Sequence, residues 1–252
     1  MIKKHLITCS VILVLAFIFK LNICSTTVSK PAKKSHLTSR FIFTKNDATT
    51  NYSFANEALP VNNATINRKM QHTLMQHNFR NVQSNLLHVK ALRLFPIIEP
   101  ILQLYGVPDD FKYLALVESG LKEGTSPKGA AGLWQFMPGT ARTYGLKVGH
   151  GVDERLNVRK STIAACKYIK ELYGEFNSWT LAAAAYNNGE IKLAKAINRQ
   201  NEGNYFRMHL NRETGAYVYN VIAMKEIIAS PSKYGYAAVY SYVPPSQLLA
   251  YN

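Results

Sequence analysis

Through the second half of the chain, apolar residues recur at helical spacing, and no stretch alternates apolar and polar residues long enough to read as a strand. From Ala64 to Leu94, Met70, Leu74, Leu86, Leu87 and Val89 stand among polar neighbours, the pattern of an amphipathic helical extension. Pro96 is expected to open a second helix, with Gly106 just past its end. Pro108, followed by Asp109 and Asp110, reads as another start. Asn157 precedes Val158–Tyr173 with Gly174 after, and Ser178 precedes Trp179–Tyr186 with Gly189 after. Asn211 then precedes a long segment through Ile228, with Pro231 beyond it. The expected fold is all-α, without internal repeats.

The two ends differ from this body. Lys3 and Lys4 precede an apolar run from Leu6 to Phe19 that is closed by Lys20. Fourteen residues are few for a span that needs roughly 17–25, so residues 1–24 are expected to act as a signal sequence or an N-terminal anchor. Leu21-Asn22-Ile23-Cys24 resembles a lipoprotein box, except that Ile23 stands where a small residue is usual, so cleavage, anchoring and lipidation at Cys24 all stay open. Residues 25–63 are rich in Ser, Thr, Asn and Lys, and read as a linker too poor in apolar side chains to offset its ordering entropy. Residues 64–95 form the helical extension, residues 96–235 the main domain, and 236–252 a tail with tyrosines and Pro244-Pro245, extended over the body or without a fixed fold.

Composition narrows the class. With 47% hydrophobic and 18% charged residues, the body has a core and is not a disordered chain. The net charge of +15 is unevenly spread, since residues 1–100 carry 13 basic and 3 acidic groups, whereas residues 101–252 carry 17 and 12. Such a chain is drawn to polyanions, whether nucleic acid, anionic lipid or an acidic wall polymer. Three cysteines cannot build a disulfide scaffold, and Cys166 lies mid-helix among Ala164, Ala165 and Ile169, where a thiol is inert. The histidines show no metal-ligand spacing, and no metal or cofactor is expected.

The candidate chemistry lies in four segments. Phe111, Leu114, Ala115 and Leu121 make an apolar stripe on the helix after Pro108, and Glu118 falls on it. Desolvation there raises a carboxyl's proton affinity, which suits a general acid, although a core glutamate satisfied by hydrogen bonds fits this helix equally well. The second segment, Ser126 to Pro138, combines glycines with Trp134, Gln135 and Phe136, an aromatic face beside an amide, as sugar rings require. The third, Leu181 to Gly189, ends an alanine-rich helix with Tyr186 and Asn187. In the fourth, Glu213 to Val218 opens the last long helix, with Glu213 facing the positive end of its dipole.

In order and spacing, Glu118-Ser119, Gly132-Leu133-Trp134-Gln135, Ala185-Tyr186-Asn187 and Glu213 to Val218 resemble the goose-lysozyme-like catalytic domain of the lytic murein transglycosylases, in particular the membrane-bound D type. The resemblance spans about residues 90–235. It implies a helical lysozyme-like domain cleaving the β-1,4 bond between N-acetylmuramic acid and N-acetylglucosamine in peptidoglycan glycan strands. Catalysis would rest on Glu118, with Ser119, Trp134, Gln135, Tyr186, Asn187 and Tyr217 as substrate-binding positions. D-type relatives carry LysM repeats, and none follows here, so independent wall anchoring is not expected. Export to the cell envelope, with membrane association through the N-terminus, completes the expectation, while no nucleic-acid partner is expected and no oligomeric state is assigned. Two alternatives remain: a hydrolytic muramidase drawing a second carboxylate from Asp109, Asp110, Glu123 or Asp153, and a non-catalytic module binding peptidoglycan or chitin oligosaccharides.

Overall fold

A computed structural model of the chain describes residues 51–120 and 124–237. The expected signal segment, Cys24, Leu121, Glu123 and the tail beyond Ala237 lie outside the described residues. Among the described residues no helix is long and apolar enough to cross a membrane.

The body is helical, as the periodicity predicts. A hairpin of two short strands, β1 (Ser53–Phe54) and β2 (Glu57–Ala58), leads into α1 (Ala64–Gln76), α2 (Phe79–Val82) and α3 (Leu86–Leu104). A 3-10 turn, Asp109–Phe111, feeds α4 (Lys112–Ser119). After a loop come α5 (Pro138–Thr143) and a second small hairpin of β3 (Val148–Gly149) and β4 (Val152–Asp153). The chain closes with α6 (Val158–Phe176), α7 (Trp179–Asn188), α8 (Glu190–Gln200) and α9 (Arg212–Ala229). The centre is α9, which packs on α1, α4 and α7 and is buried on nearly all sides through Tyr217, Val218, Val221, Ile222, Ala223 and Ile227. Beside it, Ala182–Ala185 of α7 are wholly buried, and their small side chains let α6 and α9 approach from either side. α7 thereby holds its last turn, with Tyr186 and Asn187, against the rest of the site.

Several boundaries differ from the sequence reading. Pro96 does not open a helix: Pro96 and Pro100 both lie within α3. Both are exposed, so the carbonyls they leave without an amide partner, on Leu92 and Pro96, face water. Gly174 lies inside α6, whose end falls at Asn177 in the left-handed region (φ 47°), a conformation that asparagine tolerates. Tyr236 belongs to the core and not to a tail, since it is buried, packs on Phe79 and His88, and donates its hydroxyl to the His77 carbonyl at 2.5 Å.

The largest correction concerns residues 51–63, expected to be part of an unstructured linker. Tyr52, Phe54, Ala55 and Leu59 are buried, and Phe54 packs its ring 4.9 Å from Phe111. The hairpin is also tied polar to polar. Asp110 accepts from the Ala55 amide and from Lys225 Nζ, both at 2.7 Å, and Lys225 also donates to the Ser53 carbonyl. Glu57 reaches the start of α7, accepting from the amides of Trp179 and Thr180 and from the hydroxyls of Ser178 and Thr180. A carboxylate at a helix N-terminus meets orphan amides and the positive end of the dipole together. Four apolar residues among polar ones were too few to register as periodic, but each is placed to fill a gap in the helical core.

Candidate active site

α4 is short because Gly120 turns it off in a left-handed conformation (φ 59°), leaving Glu118 in its last turn. Phe111, Leu114 and Ala115 are fully buried, so the stripe does face the core and carries Glu118 to its edge. The residue is half-buried, with its carboxyl at the enclosed end of the side chain. Oε1 accepts a very short hydrogen bond from the hydroxyl of Tyr217, one turn into α9. Burial pushes the carboxyl up to about 7, the Tyr217 bond pulls it down, and the charge of Glu213 pushes it up again. A carboxyl so placed is divided between its acid and base forms near neutrality, as proton delivery followed by proton removal requires.

Around this group the structure gathers the other segments. Ser119 turns its hydroxyl back to the Ala115 carbonyl at 3.0 Å. Tyr186 donates to the Trp134 carbonyl at 2.8 Å, and its own proton is held tightly by burial and by the charge of Glu118. Asn187 is fixed at both ends of its amide: Nδ2 donates to Glu213 at 3.3 Å, and Oδ1 accepts from Thr214 at 3.2 Å. Glu213, read from sequence as a dipole partner alone, therefore also orients Asn187 and loads Glu118 electrostatically. No local pattern pointed to that link, because it joins three separate elements.

The loop between α4 and α5 is folded by backbone pairing of Ala131 with Thr125 and Phe136, and Gln135 sits in it with φ 46°. Gln135 Nε2 donates to the Gly132 carbonyl at 2.8 Å. Trp134 departs from expectation. Its ring is wholly buried and its indole N–H donates to Thr162 at 3.0 Å, so the aromatic face expected to meet a sugar is instead part of the core, and the residue serves the site through its backbone carbonyl. The loop's pillar is Arg155, which the sequence did not single out. Its buried guanidinium donates to the carbonyls of Gly129 and Phe136 at 2.7 and 2.9 Å and pairs bidentately with Asp153. A fork of fixed donors suits such a task.

Gly132 is required here on two counts. Its φ is +75°, and a Cβ would stand 1.9 Å from the Arg155 carbonyl oxygen. Gly132→Ala is expected to cost about 3 kcal/mol in a denaturant melt, combining overpacking with backbone strain.

Of the remaining acidic candidates, Glu123 lies outside the described residues and the other three are engaged. Asp109 pairs with Lys112, Asp110 with Lys225, and Asp153 with Arg155, which holds its carboxyl below the usual range. Cys166 is buried and free, its thiol pushed up to about 12 by desolvation.

The proton affinity of Glu118 gives a paired prediction. Tyr217→Phe removes a donor that favours the carboxylate, so the alkaline limb of the activity profile, near pH 7 in the native protein, moves upward. Glu213→Gln removes a repelling charge and moves it downward. Initial rates from pH 5 to 9 on the three proteins check the opposite signs.

The comparisons with known proteins bear on the same segments. Residues 96–208 match the Transglycosylase SLT domain family. Membrane-bound lytic murein transglycosylase D of Escherichia coli K12 is 35% identical over 158 residues, which are 59% of this chain and 35% of that protein. This chain thus aligns with about a third of the relative's length. The peptidoglycan transglycosylase gp16 of Escherichia phage T7 is 43% identical over 70 residues, 27% of this chain and 5% of that protein. Among solved structures, the 70 kDa soluble lytic transglycosylase Slt70 of Escherichia coli aligns with 66% of this chain and 29% of its own, at 20% identity and a TM-score of 0.46. All four candidate segments fall within or just beyond residues 96–208, the stretch that matches the Transglycosylase SLT domain family.

Proposed function

We propose that the protein is a peptidoglycan lytic transglycosylase, cleaving the N-acetylmuramic acid–β-1,4–N-acetylglucosamine bond without water and leaving 1,6-anhydro-muramic ends. The observation that carries this reading is a single enclosed carboxyl, Glu118, with a raised proton affinity and a tyrosine hydroxyl on its oxygen. Glycosidases that use two carboxylates hold them about 5–9.5 Å apart. Here Asp109, Asp110 and Asp153 are bound to cations, and both proton transfers are assigned to Glu118. Protonated Glu118 gives its proton to the glycosidic oxygen as the bond breaks. The resulting carboxylate, steadied by Tyr217, then takes the proton of the muramic C6 hydroxyl while that oxygen closes the anhydro ring on C1. Glu118 ends protonated, ready for the next turnover. Gln135 and Asn187, both held by hydrogen bonds before substrate arrives, orient the sugar at little entropic cost.

The excess of positive charge favours approach to an anionic wall. The relative's membrane-bound character, together with the apolar N-terminal run, supports action at the cell envelope with the N-terminus at the membrane. Incubation with purified peptidoglycan sacculi tests the reading. Soluble muropeptides are expected from the native protein, and their absence would favour a binding module.

A further inference from the structure

Helix α3 is apolar on two opposite faces and covered on one. Ala91, Leu94, Ile98 and Leu102 are buried in the core. On the other face Leu86, Val89, Leu92, Pro96, Pro100 and Leu104 follow one another at steps of three and four residues, and all six are exposed. The exposure is substantial, 52% at Leu86 and 80% at Leu104. A helix apolar on both faces is ordinarily buried on both, and a contiguous exposed apolar patch marks a surface that makes contact. The stripe runs the length of the helix, about 28 Å at 1.5 Å per residue. Beside it lies a groove of about 260 Å³ between α3 and the end of α9, walled by Leu92, Phe95, Pro96, Ile228 and Pro231.

Charge says what kind of surface fits. Helices α1 to α3 carry Arg68, Lys69, Arg80, Lys90 and Arg93 against one acid, Glu99, which is paired with Lys112 at 2.7 Å. Arg93 is exposed near the middle of the stripe, and Lys233, two residues past Pro231, is exposed as well. A second copy laid along the stripe, parallel or antiparallel, would bring Arg93 close to its own equivalent, a like-charge juxtaposition that costs affinity. A layer of anionic headgroups neutralises the arginine instead, while the boundary beneath it takes the leucines.

We propose that the outer face of α3 is a membrane-contact surface, laid on an anionic lipid bilayer with Leu86, Val89, Leu92 and Leu104 in the headgroup–acyl boundary and Arg93 at the lipid phosphates. This rests on the reading above that the N-terminus is at the membrane, and adds that the helical body meets the bilayer through one fixed face. Because the same chain carries the apolar run from Leu6 to Phe19, a contact too weak to hold the protein alone acts at high local concentration as a second attachment.

The full chain, incorporated into vesicles of phosphatidylglycerol and phosphatidylethanolamine that contain a photoactivatable phospholipid, is floated and its lipid adducts mapped by mass spectrometry. Adducts are expected on α3 as well as within residues 1–24, and several-fold fewer on α3 in phosphatidylcholine alone. Val89→Glu combined with Leu92→Glu is expected to lower α3 labelling by about tenfold or more, the scale of two apolar side chains withdrawn from lipid. Leu104→Glu, at the most exposed of these positions, is expected to lower it by a smaller factor, and neither variant is expected to move the melting temperature by more than a few degrees. Protein that floats with adducts confined to residues 1–24 would overturn the surface and leave the N-terminal reading standing, whereas protein that does not float would remove both. Equal labelling of α3 on neutral lipid would overturn an anionic partner. Labelling of α3 that appears only once residues 238–252 are removed would give the stripe to that segment, and labelling that fades as protein density on the vesicle rises would give it to a second copy; either overturns the proposal.

Discussion

Glutamine at position 118 is expected to lower turnover of peptidoglycan by about 10²–10⁴-fold, the range for loss of a positioned acid–base group. The amide keeps the shape of the carboxyl and can still accept from Tyr217, so the fold is expected to survive. It is in fact expected to be the more stable protein at neutral pH. The Glu118 carboxyl binds its proton more tightly folded (about 7) than unfolded (4.5), so native stability is undiminished below pH 4.5 and falls as pH rises to about 7. That loss is on the order of 3 kcal/mol, at 1.36 kcal/mol for each unit of pKa. Thermal melts of both proteins at pH 4 and pH 8 check the sign: the gap in favour of Glu118→Gln opens only at the higher pH. A gap present equally at both would mean that the folded site does not raise the proton affinity of the carboxyl.

Removal of residues 51–62 is expected to cost more stability than any single change outside the core. Phe54 is fully buried, and truncating such a side chain costs about 3–5 kcal/mol. Losing Glu57 strips acceptors from the first amides of α7 and from Ser178 and Thr180, costing about 1–3 kcal/mol more. Together these approach the whole stability of an ordinary domain. A protein beginning at Asn63 is thus expected to be largely unfolded. Phe54→Ala alone is expected to lower Tm by about 10 °C, as for a domain of this size. A truncated protein melting cooperatively within a few degrees of the native one would mean that the hairpin is an ornament. Because the start of α7 is held by Glu57 and its last turn carries Tyr186 and Asn187, the loss is also expected to reach the site.

The same hairpin marks where sequence reading runs out. Helices α6, α7 and α9 were legible because Asn157, Ser178 and Asn211 cap them with side chains and their apolar stripes are long. Glu118 was legible because it interrupts such a stripe. Segment 51–63 was not, since its four core residues are spaced by contacts with Phe111 and α7 and not by any repeat. α8, with Leu193 and Ala196 buried, is strongly amphipathic and was legible by its periodicity, although it was not singled out from the sequence. Trp134 misled for a related reason. A tryptophan beside glutamine in a glycine-rich loop suggests a ligand, but which way the ring turns depends on Thr162, 28 residues away on α6. Glu213 and Arg155 act at similar range, and their roles follow only from the tertiary arrangement.

In the proposed reaction one carboxyl does the work of two and water takes no part. Digestion of sacculi in ¹⁸O-labelled water, with mass analysis of the released muropeptides, tests it most directly. Anhydro-muramic ends, one water lighter than reducing ends and free of label, are expected. Reducing ends carrying ¹⁸O would contradict it, and would assign the protein to hydrolysis with a second carboxylate at work beside Glu118.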